Sequence, residues 1–287
     1  MHTNKTMKLA VVTFLGISLA AAGSAVAGRG SSPQAVQRAI ASGSPDAIKS
    51  ELERAEHLVC VSCVDMVRPL IDNQNQGIRQ VAAWWLARRG VVRAVRVEML
   101  NRLAQPDSIA ARNAADVLGE LKTPSSIPAL SAAMANPVFT SEARAHMAQA
   151  LGRISRPAVV APLTSVLGGQ GNSDGVVKVA AMQALQSIPA LRDGSAVAPL
   201  LGEGDVAVRA EAATTLCMFH DAGGTAALVT ALQNDASPVG RNNAAWALGE
   251  IRANTAVAGP ALQQAAANDQ SPFVRSLAAA ALTRLAR

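Results

Sequence analysis

The sequence predicts an all-α solenoid, an α-α superhelix of about seven two-helix repeats behind a short N-terminal helical cap. Three observations predict it. A thirteen-residue phrase, clearest from Ser237 to Gly249, recurs with its leucine at Leu86, Leu118, Leu151, Leu185, Leu216, Leu248 and Leu282, at intervals of 32, 33, 34, 31, 32 and 34 residues. A near-constant period of this size marks a repeat architecture. The same column of each copy holds a helix-capping residue, and the apolar residues fall on one helical stripe. Hydrophobic residues make up 50% of the chain, mostly Ala, Val and Leu, which stacked repeats bury against one another because a single repeat cannot.

The columns justify each element of the phrase. Eleven places before the leucine stand Asn75, Asp107, Thr140, Asp174, Asp205, Ser237 and Ser271, all able to accept a hydrogen bond from the first helical turn. Pro238 and Pro272 follow two of them, where a missing N–H costs nothing. Apolar positions at minus eight, minus four, zero and plus three form the stripe, and small residues at minus four and minus three let helices approach closely. Seven places before the leucine, Arg79, Arg144, Lys178, Arg209, Arg241 and Arg275 form a basic column that Ala111 interrupts. We read it as a structural ladder in which each base meets acidic or carbonyl groups at adjacent turns, with Asp107, Asp174 and Asp205 as available acceptors. The alternative is a basic groove for anionic ligands.

A shorter helical run precedes each phrase: Met66 to Ile71, Ala94 to Leu103, Ile127 to Met134, Val160 to Leu167, Ala196 to Leu201, Thr225 to Leu232 and Ala258 to Ala267. Two antiparallel helices per repeat, the second capped and carrying Val-Arg and Ala-Ala-x-x-Leu-Gly, resemble the HEAT-repeat family over roughly residues 65–287. More narrowly they are similar to the short HEAT-like repeats of phycobilisome lyase subunits. The resemblance implies a right-handed array. It leaves function open, because HEAT arrays serve many unrelated tasks. A bilin lyase or isomerase activity is implied only by that resemblance, and it conflicts with the N-terminus.

Residues 1–27 read as an export signal, with Lys5 and Lys8, an apolar run from Leu9 to Ala22, and Ala25-Val26-Ala27 before Gly28. The run is shorter than the ~20 residues of a membrane span. The expected location is therefore a bacterial periplasm or the exterior, with no membrane contact after cleavage. Residues 28–63 form the N-terminal helical cap, with Ser32-Pro33 and Ser44-Pro45-Asp46 opening two short helices, and residues 64–287 form the solenoid. The longest turns are Pro137 to Ser141 and the glycine-rich Gly168 to Ser173, which lacks the features of a phosphate loop.

Composition excludes some partners. The formal charge is +6, and it drops to +4 without Lys5 and Lys8. No block of like charges appears, aromatic residues are 2% of the chain, and tyrosine is absent, so stacking platforms for nucleic acid are missing. No nucleophile elbow or metalloprotease spacing occurs, and no cofactor is expected.

Chemistry concentrates in His57-Leu58-Val59-Cys60-Val61-Ser62-Cys63. Cys60 and Cys63 stand one helical turn apart, which leaves open a structural disulfide at the joint between cap and first repeat, a redox pair, or, with His57, part of a metal site. Val64 after Cys63 argues against a covalent haem. Cys217 occupies a column of small residues and reads as a buried thiol, with His220 in the following turn.

The expected working face is the concave side formed by the second helices. Its minus-two column holds Trp84, Asp116, Gln149, Gln183, Thr214, Trp246 and Ala280, a mixture that reads as exposed. With Arg88, Glu120, His146, Arg153 and Glu250 they make a mixed polar face suited to a protein or peptide partner. The expected function is an exported, non-catalytic scaffold, with a redox- or metal-handling accessory centred on His57, Cys60 and Cys63 as the alternative.

Overall fold

The structure, a computed structural model, describes residues 30–169 and 174–286. The expected export signal at 1–27 and residues 170–173 of the glycine-rich turn lie outside the described residues. Within the unit Ser31–Arg287 the described residues form fifteen α-helices and no strand.

The first two, α1 (Pro33–Ala41) and α2 (Pro45–Arg54), make the cap. Seven pairs follow. They are α3 (Val61–Val67) with α4 (Gln76–Leu86), α5 (Val92–Leu103) with α6 (Ser108–Leu121), and α7 (Ile127–Ala135) with α8 (Ser141–Ile154). Next come α9 (Val160–Leu167) with α10 (Gly175–Gln186), and a 3₁₀ segment (Ala198–Gly202) with α11 (Val206–Phe219). The last are α12 (Thr225–Asn234) with α13 (Pro238–Ile251), and α14 (Thr255–Asn268) with α15 (Pro272–Leu285). The second helices stack in sequence, α4 on α6, then α8, α10, α11, α13 and α15, and α2 covers α4. On the other layer α5 meets α7, α7 meets α9, and α12 meets α14. No described helix is long and apolar enough to cross a membrane.

Each second helix begins at the capping column. Asn75, Asp107, Thr140, Asp174, Asp205 and Ser237 accept a hydrogen bond from a backbone N–H two or three residues on. Ser271 holds the same extended backbone without the side-chain bond. Such a cap is worth about 1 kcal/mol. Two of the expected first helices are corrected by proline. The run at 66–71 ends its α-helix at Val67 and continues as 3₁₀ over Arg68–Asp72, and the run at 196–201 becomes 3₁₀ over Ala198–Gly202. Pro69 and Pro199 lack the N–H that an α-turn needs, and so few residues remain before the next cap that a tighter turn fits better.

The stripe is the core. Ala82, Ala114, Met147, Ala181, Ala212, Ala244 and Ala278 at minus four are all fully buried. The junctions between repeats depend on glycine after the leucine. A Cβ on Gly119 would lie 2.9 Å from Cα of Ala150, one on Gly152 2.8 Å from Cα of Ala184, and one on Gly249 2.8 Å from Cα of Ala281. The position after the leucine in one repeat thus rests on the position before the leucine in the next. Where glycine is replaced the contact changes chemistry: Gln186 donates to Thr215 Oγ1 at 2.8 Å. At the junction with the cap the position before the leucine is buried Trp85, whose indole N–H donates to the carbonyl of Ala55 at 3.0 Å. Helices α6, α8, α11 and α13 end on Lys122, Ser155, His220 and Arg252, all left-handed with φ of 50–52°.

Candidate protein-interaction face

The basic column finds its partners one repeat ahead, though not where the sequence reading placed them. Arg209 donates from Nε and Nη2 to the two carboxylate oxygens of Asp235 at 2.7 and 2.8 Å. Arg241 grips Asp269 in the same way at 2.8 and 2.9 Å. Lys178 reaches Glu203 at 2.6 Å. Each acid stands thirteen places before its repeat's leucine, in the turn ahead of the second helix. The arginine Nη1 atoms donate to carbonyls of their own turn: Arg209 to Glu203 and Gly204, Arg241 to Asp235 and Ala236, and Arg275 to Asp269 and Gln270. Arg144, nearly buried, donates to the carbonyl of Met134 at 2.7 Å. Asp107, Asp174 and Asp205, the acceptors the sequence suggested, cap their own helices instead. A carboxylate committed to the N–H groups of its own first turn is not free to hydrogen-bond a column base, although Asp205 still acts on Arg209 through space.

Arg79 departs from this pattern. The position thirteen before Leu118 is Gln105, which offers no charge, so Arg79 turns to Asp116 on α6 with Nε at 2.9 Å. Asp116 has no exposed surface. This corrects its expected exposure: the minus-two column lies on the seam between second helices, and at α6 neighbours on both sides cover it. His146 Nδ1 on α8 lies 2.9 Å from Asp116 Oδ1, and Gln76 on α4 donates to the same oxygen at 3.1 Å and to Gln149 at 3.3 Å. Burial alone would raise the Asp116 pKa, yet His146 and Arg79 outweigh it and hold the carboxyl below its ordinary value. Glu120, one turn on, is pushed the other way by burial, with Arg153 opposing. Arg153 pairs with Glu120 through Nε at 3.1 Å, while its Nη1 lies 3.8 Å from Asp116. That Nη1 is buried and has no hydrogen-bond partner.

Seven side chains from three successive second helices therefore meet in one recessed polar patch. Gln76 and the acid column of the turns were missed by the sequence reading. The second could have been found by aligning the loops as well as the helices. The remaining face residues are spread along the stack. Trp84 is half-buried against the core and carries the Arg88 guanidinium 4.0 Å over its ring, and Arg88 pairs with Glu56 of the cap at 2.9 Å. Gln183 is exposed and donates to Glu211 at 3.3 Å. Trp246 is half-buried, and Glu250 pairs with Arg284 at 3.1 Å.

At the joint between cap and first repeat, the sulfurs of Cys60 and Cys63 meet, with Cα atoms 5.2 Å apart. A bond here closes so small a loop that the loop-closure relation gives it only about 2 kcal/mol. It also spans one turn of chain and ties neither the cap to the repeat nor one helix to another. His57 points into solvent with its ring 3.8 Å from Glu56. Among the described residues, no three His, Cys, Asp or Glu side chains are placed to hold a metal ion. The loop itself is pinned by Arg89, which donates to the carbonyls of Ala55, Glu56 and Leu58 and stacks 3.1 Å over the Trp85 ring. Burial, with Arg88 alongside, lowers its pKa to about 10. Cys217 is a free, buried thiol whose pKa burial and Glu250 raise to about 11, and His220 is an exposed helix end.

No curated protein matches this chain. Among solved structures it is similar to human deoxyhypusine hydroxylase in complex with glycerol, at 20% identity over 88% of this chain and 97% of that one, with a TM-score of 0.36. It is similar to the complex of CpcE and CpcF of phycocyanin lyase from Nostoc sp. PCC7120, at 19% identity over 77% and 94%, with a TM-score of 0.41. A third is the Escherichia coli protein YibA, at 17% identity over 89% and 93%, with a TM-score of 0.49. None of the three bears on what this chain binds. The family description "HEAT repeats" matches residues 97–186 and 195–283, more than half of the chain. Its stacked, capped helix pairs and that match agree: the chain belongs to the HEAT-repeat family.

Proposed function

We propose that this chain is an exported, non-catalytic scaffold that holds a protein or peptide along the face of its second helices. The observation that carries the reading is the recessed patch around Asp116, where the Arg153 Nη1 donor is buried without an acceptor. A buried donor left unsatisfied costs about 1–3 kcal/mol, and a turn of the Arg153 side chain, 26% of which is exposed, would bring that donor to a backbone carbonyl or carboxylate of a partner segment and remove the cost. His146, oriented by Asp116, and Gln149, engaged by Gln76, stand beside it as further polar anchors. Half-buried Trp84 and Trp246 supply apolar contact elsewhere on the same face. The sequence pattern of residues 1–27 supports export, and the partner proposed is accordingly a periplasmic or extracellular one.

The test is affinity capture from periplasmic extract with the mature chain and with Arg153→Ala, His146→Ala and Trp84→Ala. One partner, recovered by the parent and lost by Arg153→Ala and His146→Ala with helicity unchanged, supports the reading. Capture that survives all three, or turnover of a substrate without any partner, defeats it.

A further inference from the structure

The Cys60–Cys63 pair sits in a setting that a purely structural bond does not need. Cys63 is fully buried and Cys60 is half-exposed, so only one sulfur can be reached from solvent. Val59 and Val61, on either side of Cys60, are 96% and 84% exposed. The two valines give the accessible sulfur an apolar surround that an apolar flanking side chain could cover. A cleft of about 730 Å³ runs past the same sulfur, lined by apolar Leu58, Val64 and Val91 and by charged Glu56, Asp65 and Arg88. The Arg89 bonds to the carbonyls of residues 55, 56 and 58 fix this loop, so the sulfur is presented by a braced segment. The Cys60 Sγ accepts the Cys63 N–H at 3.0 Å, a bond that would also favour the thiolate once the pair is reduced.

We propose that Cys60–Cys63 is a thiol–disulfide exchange site for extended client segments whose cysteine is flanked by apolar residues. A client thiolate attacks Cys60 Sγ, and the Cys60–Cys63 bond breaks with its electron pair leaving on Cys63, which takes up a proton. A second client thiolate then attacks the client sulfur of the mixed disulfide and expels Cys60 as its thiolate, which is protonated. The client dithiol loses two electrons and two protons, and the cysteine pair gains both. The cleft seats the apolar flanks of the client while the exchange proceeds. This site is separate from the Asp116 patch, and either reading can fail alone.

The test uses the full chain as Cys63→Ser, which leaves Cys60 free to trap, and as Cys60→Ser. The probe is a peptide with valine on both sides of a cysteine capped by glutathione. Intact mass at neutral pH follows the mixed disulfide, with unreacted Cys217 as the internal reference. Cys63→Ser is expected to react at least about tenfold faster than Cys60→Ser, because only Cys60 is reachable. Equal rates for the two variants overturn the proposal. With the parent chain, the oxidised pair is expected to convert a valine-flanked dithiol peptide to its disulfide as Cys60 and Cys63 gain two hydrogens by mass. A bond that stays intact under excess dithiol peptide overturns it. Val61→Ser is expected to slow the valine-flanked peptide and leave oxidised glutathione unaffected, and equal slowing of both overturns the assignment of the client.

Discussion

The first repeat and the fifth and sixth place a base at the same column and use it differently. Lys178, Arg209 and Arg241 each reach the acid in the turn of the next repeat, and the pairs Arg209–Asp235 and Arg241–Asp269 form a regular ladder at the helix starts. At Arg79 that acid is replaced by Gln105, and the base crosses instead to Asp116 in the middle of α6. One missing carboxylate moves an ion pair from the turns at the helix starts, where the bases keep 13–14% of their side-chain surface, into the fully covered seam between helices. The ladder makes sense as repeat-to-repeat fastening. The buried pair does not, because removing two charges from water cancels most of what their attraction returns. Its consequence is a polar patch held in place by α4, α6 and α8.

The largest expected effect separates the two regions directly. Arg79→Ala leaves Asp116 charged and buried, and is expected to lower stability by about 3–5 kcal/mol in urea unfolding. Arg241→Ala opens the 8%-exposed Asp269 side chain to water and leaves it bonded to the Ser271 N–H, so a smaller loss of about 1–3 kcal/mol is expected. Equal losses would break the distinction.

Packing, by contrast, is expected to be the same at both ends. Gly119→Ala and Gly249→Ala each push a methyl against the backbone of the next helix, and each is expected to cost about 1–3 kcal/mol. A large difference between them would mean that the two regions differ in fit as well as in charge.

Acid titration sharpens the contrast. Asp116, Asp235 and Asp269 all have depressed pKa values: burial opposes the shift, while His146 and Arg79 drive it at Asp116 and Arg209 at Asp235, and at Asp269 the Arg241 bond leads. The unfolded chain then binds these protons more tightly. Their contribution is complete above the ordinary carboxylate value of about 3.9 and is lost as pH falls through the lower folded values. Glu120 has the opposite sign. Its folded pKa is raised by burial, so its contribution is present below about 4.3 and fades as pH rises through the folded value. Glu120→Gln is expected to remove that fall in stability above pH ~4.3 and leave the acid limb unchanged. The smallest expected effect is a gain of up to about 1 kcal/mol for Arg252→Gly, since glycine enters the left-handed helix end without strain.

Much of the fold was legible because it is local. A capping side chain reports its own helix start, and all seven capping positions open a second helix. The small residues before and after the leucine report close approach, and the glycine–alanine junctions follow from them. The first helices were less legible, since Pro69 and Pro199 decide between α and 3₁₀ within five residues. The candidate face was the least legible. Whether Asp116 is exposed depends on Gln105, eleven residues earlier, failing to offer a charge to Arg79 on another helix, and a column read one repeat at a time does not contain that fact. The charged residues of the turns carried the missing signal.

The most direct measurement replaces the buried network by apolar side chains of similar size, as Arg79→Met with Asp116→Leu and His146→Leu, and follows unfolding stability and partner capture together. The account expects stability equal to the parent or higher, with the captured partner lost. A marked fall in stability with capture intact would contradict it, and would make the patch part of the fold's fastening instead of its working face.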